Sequence, residues 1–137
     1  MADPAQVRTD LYSQLDKAQE LIGGTWDNAD DPSPTDCTVG STTGVTFTGT
    51  RRSNDTVPEE TRAKVAALWE SMGFTTETKD DVAPYRLIIA TSKVDPENTL
   101  TFGLADKAMY LEGQGACGDG DLSEWVDIVN KELAAKD

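Results

Sequence analysis

The chain has 137 residues, 37% hydrophobic and 7% aromatic, with 12 basic against 25 acidic side chains and a net charge of −13. A surface this negative repels phosphate backbones and anionic bilayers, which argues against nucleic acid and direct membrane adsorption. There is no histidine, so the usual general base, metal ligand and neutral-pH switch are all missing.

The length fits one domain, residues 1–137, able to bury about two-thirds of its unfolded surface. Its first element is a helix over about residues 4–22. Val7, Leu11, Leu15, Ala18 and Ile22 recur at three- and four-residue steps and share one stripe. Asp3 reads as the N-cap, Pro4 as the first helical residue and Gln6 as the capping-box partner. Gly23-Gly24 ends the helix. From Thr25 to Thr43 the run of Asp27, Asn28, Asp30, Asp31, Pro32, Ser33 and Pro34 predicts an irregular connection, long for a compact domain. Trp26 and Cys37 are its two tethers.

The core is expected over about residues 44–136. Val45, Phe47 and Gly49 alternate with Thr46, Thr48 and Thr50, as in one half-buried strand. Asn54-Asp55-Thr56 is a turn, and a glycosylation sequon if the source is a eukaryotic secretory pathway. Thr56-Val57-Pro58-Glu59 reads as a capping box opening a second helix, with Val65, Leu68, Trp69 and Met72 as its stripe. Phe74, Thr76 and Thr78 open a strand, and Asp80-Asp81 are expected to turn it. Tyr85 to Thr91 is the most hydrophobic strand, and Asp95-Pro96-Glu97-Asn98 is a turn by chemistry. Leu100, Phe102 and Leu104 alternate in the next strand. After Asp106-Lys107, Met109-Tyr110-Leu111 run on toward Cys117. Asp121-Leu122-Ser123-Glu124 opens a third helix whose stripe is Leu122, Trp125, Val126, Val129 and Leu133, with Lys131 and Lys136 toward its negative end. The order predicts an α+β fold: a mainly antiparallel sheet of about five strands, helices packed on one face and one disulfide.

The two cysteines, Cys37 and Cys117, match the usage expected of an exported domain, where such a pair forms a bridge. Two buried free thiols, or a reactive one, are the alternatives. No CxxC is present, which leaves a zinc ribbon or thioredoxin-type site unsupported. Met1-Ala2-Asp3-Pro4 opens a polar segment rather than a signal peptide. The bridge therefore carries the expectation that a leader was trimmed away. No stretch approaches the roughly 18 apolar residues of a spanning helix.

Gly118-Asp119-Gly120-Asp121 is the best place for a cation, with Asp119 and Asp121 as weak calcium candidates. The ordinary reading of that run is a turn whose Asp121 caps the last helix. Asp27, Asp30 and Asp31 join it only if the bridge brings the two loops together. Trp69 and Trp125 belong to helical stripes and read as core. Trp26 does not, and either covers the bridge or contacts a partner. No GxSxG or SxxK occurs, and among 25 acidic residues some carboxylate pair always looks suggestive. No metal, cofactor or catalytic residue is implied.

The helix leading to Gly24-Thr25-Trp26, the loop to Cys37, the Gly44-Val45-Thr46-Phe47 strand, the helix ending in Trp69-Glu70-Ser71-Met72-Gly73-Phe74 and the strand closing on Cys117 together give a family resemblance. Over roughly residues 5 to 130 the chain resembles small actinobacterial cell-envelope lipoproteins of the mycobacterial type, read without their signal and lipid-bearing cysteine. The resemblance implies an exported, membrane-tethered domain and carries over no catalytic residues. The expected function is a non-enzymatic extracytoplasmic domain, a binding or envelope-accessory module, monomeric, whose partner is a protein or envelope component. Any membrane contact would run through a lipid anchor absent from this sequence. The alternative is an acidic inhibitor or immunity-type protein that blocks a basic enzyme or toxin, since complementary charge speeds docking.

Overall fold

The computed structural model describes residues 2–136. Helix α1 spans Pro4–Ile22 and buries all five stripe residues. Asp3 is extended, but its side chain makes no cap, and Gln6 donates to Asp10 at 2.7 Å instead of closing a capping box.

The expected irregular connection contains strands. β1 covers Asp27–Asn28, β2 Thr35–Val39 and β3 Thr42–Thr46. Threonines at 35, 38, 42 and 43 supply β-branched residues, a signal masked by Pro32 and Pro34 beside them. β2 and β3 form a hairpin closed by Gly40-Ser41, with Val39 opposite Thr42. Gly40 sits at φ 62°, the positive φ that tight two-residue hairpin turns require. The single strand expected over Val45–Thr50 is two: β3 ends at Thr46, and β4 runs Thr48–Ser53. Phe47 is the break between them. Its carbonyl accepts from Gly115 at 2.9 Å, while Val45 exchanges hydrogen bonds with Gly118.

Helix α2 spans Glu60–Ser71, three residues later than the Thr56 cap predicts. The Thr56 hydroxyl donates to the Ala105 carbonyl at 2.8 Å, and the turn after Pro58 starts the helix with Thr61 bonded to the Pro58 carbonyl. Then come β5 (Phe74–Val82), β6 (Tyr85–Ser92), β7 (Thr99–Leu104), β8 (Met109–Gln114) and helix α3 (Leu122–Ala135). Asp80 and Asp81 lie inside β5 rather than in a turn; the chain reverses between Val82 and Tyr85, which pair across it.

The main sheet has six antiparallel strands in the order β1-β4-β8-β7-β6-β5, with β2-β3 as a separate pair. β5 to β8 form a meander, and β4 pairs with the last of them. The link from β4 to β5 must therefore cross the whole sheet, and α2 makes that crossing over β5, β6 and β7. α1 covers β8 and β4 on the same face. Inward residues of both helices and the sheet form one core, with Leu11, Leu15, Phe47, Trp69, Leu100, Phe102 and Leu111 among its fully enclosed side chains. Each such side chain contributes roughly 1.5–3 kcal/mol of hydrophobic stabilisation.

Helix α3 is less embedded than its stripe predicts. Val129 is its one buried residue; Leu122 and Trp125 pack partly, and Val126 and Leu133 stay exposed. Trp125 meets Phe47 edge-on, with ring centroids 6.0 Å apart.

Candidate functional site

Cys37 occupies the centre of β2, and Cys117 follows β8. They are bonded, with a Cα–Cα distance of 5.8 Å and a sequence separation of 80. The cross-link is backed by backbone pairing. Val45 and Gly118 bond both ways at 2.9 and 2.7 Å, and the Thr46 hydroxyl donates to Gly115 at 2.8 Å. Asp95, from the β6–β7 turn, accepts from the Cys117 amide at 2.8 Å. The β2–β3 hairpin is thereby fixed to the end of the sheet.

Trp26 is half-buried, and its Nε1 donates to the Gly23 carbonyl at 2.9 Å. It adjoins Asp27 and Arg52 at the Ser53 end of β4. The bridge lies beyond the Thr48 end, about 17 Å away at the usual strand rise. Trp26 therefore packs at the C-terminal end of α1 and does not cover the disulfide.

Asp121 caps α3, accepting from the Glu124 amide at 3.3 Å. Asp119 is exposed, and its amide donates to the Ala2 carbonyl at 2.7 Å. Asp30 and Asp31 are turned to other partners. Asp31 accepts from the Ser33 amide at 2.9 Å, which lowers its carboxyl pKa. Asp30 is gripped by Arg51. Among the described residues no group of three or more His, Cys, Asp or Glu side chains is placed to hold a metal ion.

Arg51 is a charge inside the core layer. It lies opposite Leu111 on the inward side of β4 and is 2% exposed. Burial opposes its charge, but hydrogen bonds to Asp30 and Asp16 outweigh that cost and hold its pKa above the ordinary arginine value. Gln19 of α1 accepts from it at 3.3 Å. One guanidinium thus ties β4 to α1 and to the loop after β1.

Two concave regions differ in how their polar groups are used. A groove of about 530 Å³ runs between α1, α3 and the loop after β1, past Arg8, Tyr12, Pro32 and Leu133. Three of its four charged side chains are engaged, Lys136 being the fourth: Arg8 holds both Glu132 oxygens at 2.9 and 3.1 Å, and Asp30 is committed to Arg51. Burial, with Asp30 nearby, raises the Tyr12 pKa.

The second is a trough of about 220 Å³ on the sheet face away from α1 and α2. Strand alternation places Thr48 and Thr50 of β4, Glu112 and Gln114 of β8, and Thr99 and Thr101 of β7 on this face in paired rows. Among the described residues, the four threonine hydroxyls and the Glu112 carboxylate make no hydrogen bond within the chain. Gln114 is held against Glu97 at 3.0 Å, and Asn98 donates to the Gln114 carbonyl at 2.7 Å. The trough's end wall is therefore fixed. Outside that lining, one row further along the same face, the Tyr110 ring lies over Gly103, where an added Cβ would come within 2.2 Å of it. Tyr85 meets Tyr110 edge-on at 4.9 Å. Burial, then Glu112, raises the Tyr110 pKa. Sequence reasoning missed these residues. The outward positions were readable from the two-residue period, but the adjacency of β4 and β8 was not.

A solved structure of a DUF4853 family protein from Actinomyces odontolyticus ATCC 17982 is similar to this chain. The TM-score is 0.65, with 88% of this chain and 71% of that one covered, at 13% identity. A likeness at that identity is one of fold, to a protein from an actinobacterium. No protein-family model and no curated protein matches the chain.

Proposed function

We propose that the chain is a non-enzymatic extracytoplasmic domain of the lipoprotein type, acting as a binding or envelope-accessory module. The observation that carries this reading is the Cys37–Cys117 bridge across 80 residues, since bridges of this kind persist in oxidising compartments and are rare in reducing ones. A fold shared with an actinobacterial protein is compatible with that compartment. The binding role is supported by a sheet face that leaves hydroxyls and a carboxylate free beside a fixed wall. No helix among the described residues is long and apolar enough to cross a membrane.

The test is expression in an actinobacterial host behind a secretion leader, and separately without one, with thiol alkylation before lysis. The exported protein is expected to be unalkylated and two hydrogens lighter than its reduced form. Cytosolic protein that folds and binds its partner with both thiols alkylated overturns the reading and favours an intracellular adaptor.

A further inference from the structure

In the groove beside α3, Arg8 is paired with Glu132 and Asp30 with Arg51, and Asp121 caps α3; among the described residues the trough on the open sheet face leaves four threonine hydroxyls and the Glu112 carboxylate without a partner. Its chemistry is also unlike the rest of the protein. The chain carries a net −13, yet the outward positions of β4, β8 and β7 hold one cation, Arg52, and one anion, Glu112. These outward positions sum to zero charge, with the Glu97 carboxylate bordering them at Gln114. A basic partner would be drawn to the acidic loops instead, and an anionic one would be repelled by the molecule as a whole.

We propose that this trough binds a neutral saccharide chain, which deepens the reading of the domain as a binding module and rests on it. Threonine hydroxyls donate and accept, and a carboxylate accepts at two oxygens. A sugar presents the same pairing capacity, with adjacent hydroxyls that donate and accept in turn. Thr50, Glu112 and Thr101 stand side by side across three strands, spaced about 4.8 Å apart. Tyr110, two residues along β8 from Glu112, supplies an amphipathic ring for the apolar C–H face of a pyranose. Its seat over Gly103 and its edge contact with Tyr85 fix that ring before any ligand arrives, which reduces the ordering cost of binding.

The experiment titrates the full-length, ¹⁵N-labelled, disulfide-bonded protein with cellohexaose, maltohexaose, laminarihexaose and arabinohexaose in turn. For at least one of them, saturable shifts are expected at the amides of Thr48 to Thr50, Thr99 to Thr101 and Glu112 to Gln114. Added sodium chloride should leave the affinity unchanged. Thr50→Val and Thr101→Val keep a β-branched side chain and are each expected to weaken binding about fivefold, the worth of one net hydrogen bond, at unchanged melting temperature. Absence of these shifts with all four sugars overturns the proposal. So do shifts of equal strength in the valine variants, or a light-scattering dimer whose formation perturbs the same amides. Each of those results concerns the ligand alone; the exported-module reading fails separately, through the thiol assay.

Discussion

Nε and Nη2 of Arg51 grip both carboxylate oxygens of Asp30, at 3.3 and 2.8 Å. The geometry is the planar fork that makes arginine and carboxylate bidentate partners. Asp16 and Gln19 complete the shell from α1. Asp30→Ala leaves the buried guanidinium with a largely exposed carboxylate and an amide. Removing one partner of a buried pair strands the other charge, and the expected loss is about 3 kcal/mol, the low end of that effect because Asp30 itself keeps 16% exposure. Asp16→Ala, at a side chain 64% exposed, is expected to cost under about 1 kcal/mol. Urea unfolding of the two variants measures the contrast, and equal losses would show that burial does not govern this cluster.

The bridge between Cys37 and Cys117 closes a loop of 80 residues. In the chain-entropy account, opening it by a double substitution to serine costs roughly 4 kcal/mol, acting through the unfolded state. The backbone pairing of Val45 with Gly118 remains available, so the folded topology is expected to survive at lower stability. Melting with and without reductant reads this directly. A reduced protein that melts at the oxidised temperature would refute it.

Much of this arrangement is legible in the sequence wherever one apolar stripe dominates. The five-residue stripe of α1 is buried as read, and β7 alternates as read, because both lie in contact with the core along their whole length. Arg51 was hidden in plain view. Val45, Phe47, Gly49, Arg51 and Ser53 are all buried, so the two-residue alternation ran through Arg51 to the inward side. Its partner Asp30 was not deducible, because the loop that brings it there has no period of its own. The Thr56 cap failed for a local reason: its hydroxyl found the Ala105 carbonyl, 49 residues away, and tertiary contact displaced the capping motif. The trough was beyond reach because β4 pairs with β8 across the 55 residues between Ser53 and its partner Met109, and hydropathy patterns do not encode strand order.

Trp69 is fully enclosed, and among the described residues its Nε1 has no hydrogen-bond partner. An orphaned buried donor costs about 1–3 kcal/mol. Trp69→Phe removes that donor along with part of the ring, so the lost packing and the relieved desolvation oppose each other. The expected net change is within about 1 kcal/mol of the parent, against about 3–5 kcal/mol lost in Trp69→Ala, which gains the same relief but opens a cavity. Urea midpoints of both variants decide it; a phenylalanine variant as damaged as the alanine one would mean the indole N–H is satisfied after all.

Helix α3 is held by Val129, by Trp125 against Phe47 and by the Arg8–Glu132 pair, with Val126 and Leu133 left 38% and 43% exposed. It is the least embedded of the three helices and should open at lower free energy than the sheet. Arg8 holds the Glu132 carboxyl below the usual glutamate range through their hydrogen bonds, while the same bonds raise the Arg8 pKa. A depressed folded-state pKa stabilises above the unfolded value, near 4.3, and that contribution is lost as pH falls through the lower folded value. Glu132 is 43% exposed, so screening limits the effect to under about 1 kcal/mol. Below about pH 4, α3 amides should therefore lose hydrogen-exchange protection before those of β7 and β8. Glu132→Gln should show the reduced α3 protection already at neutral pH and lack its own step on acidification. A variant indistinguishable from the parent at neutral pH would show that Trp125 and Val129 alone fasten the helix.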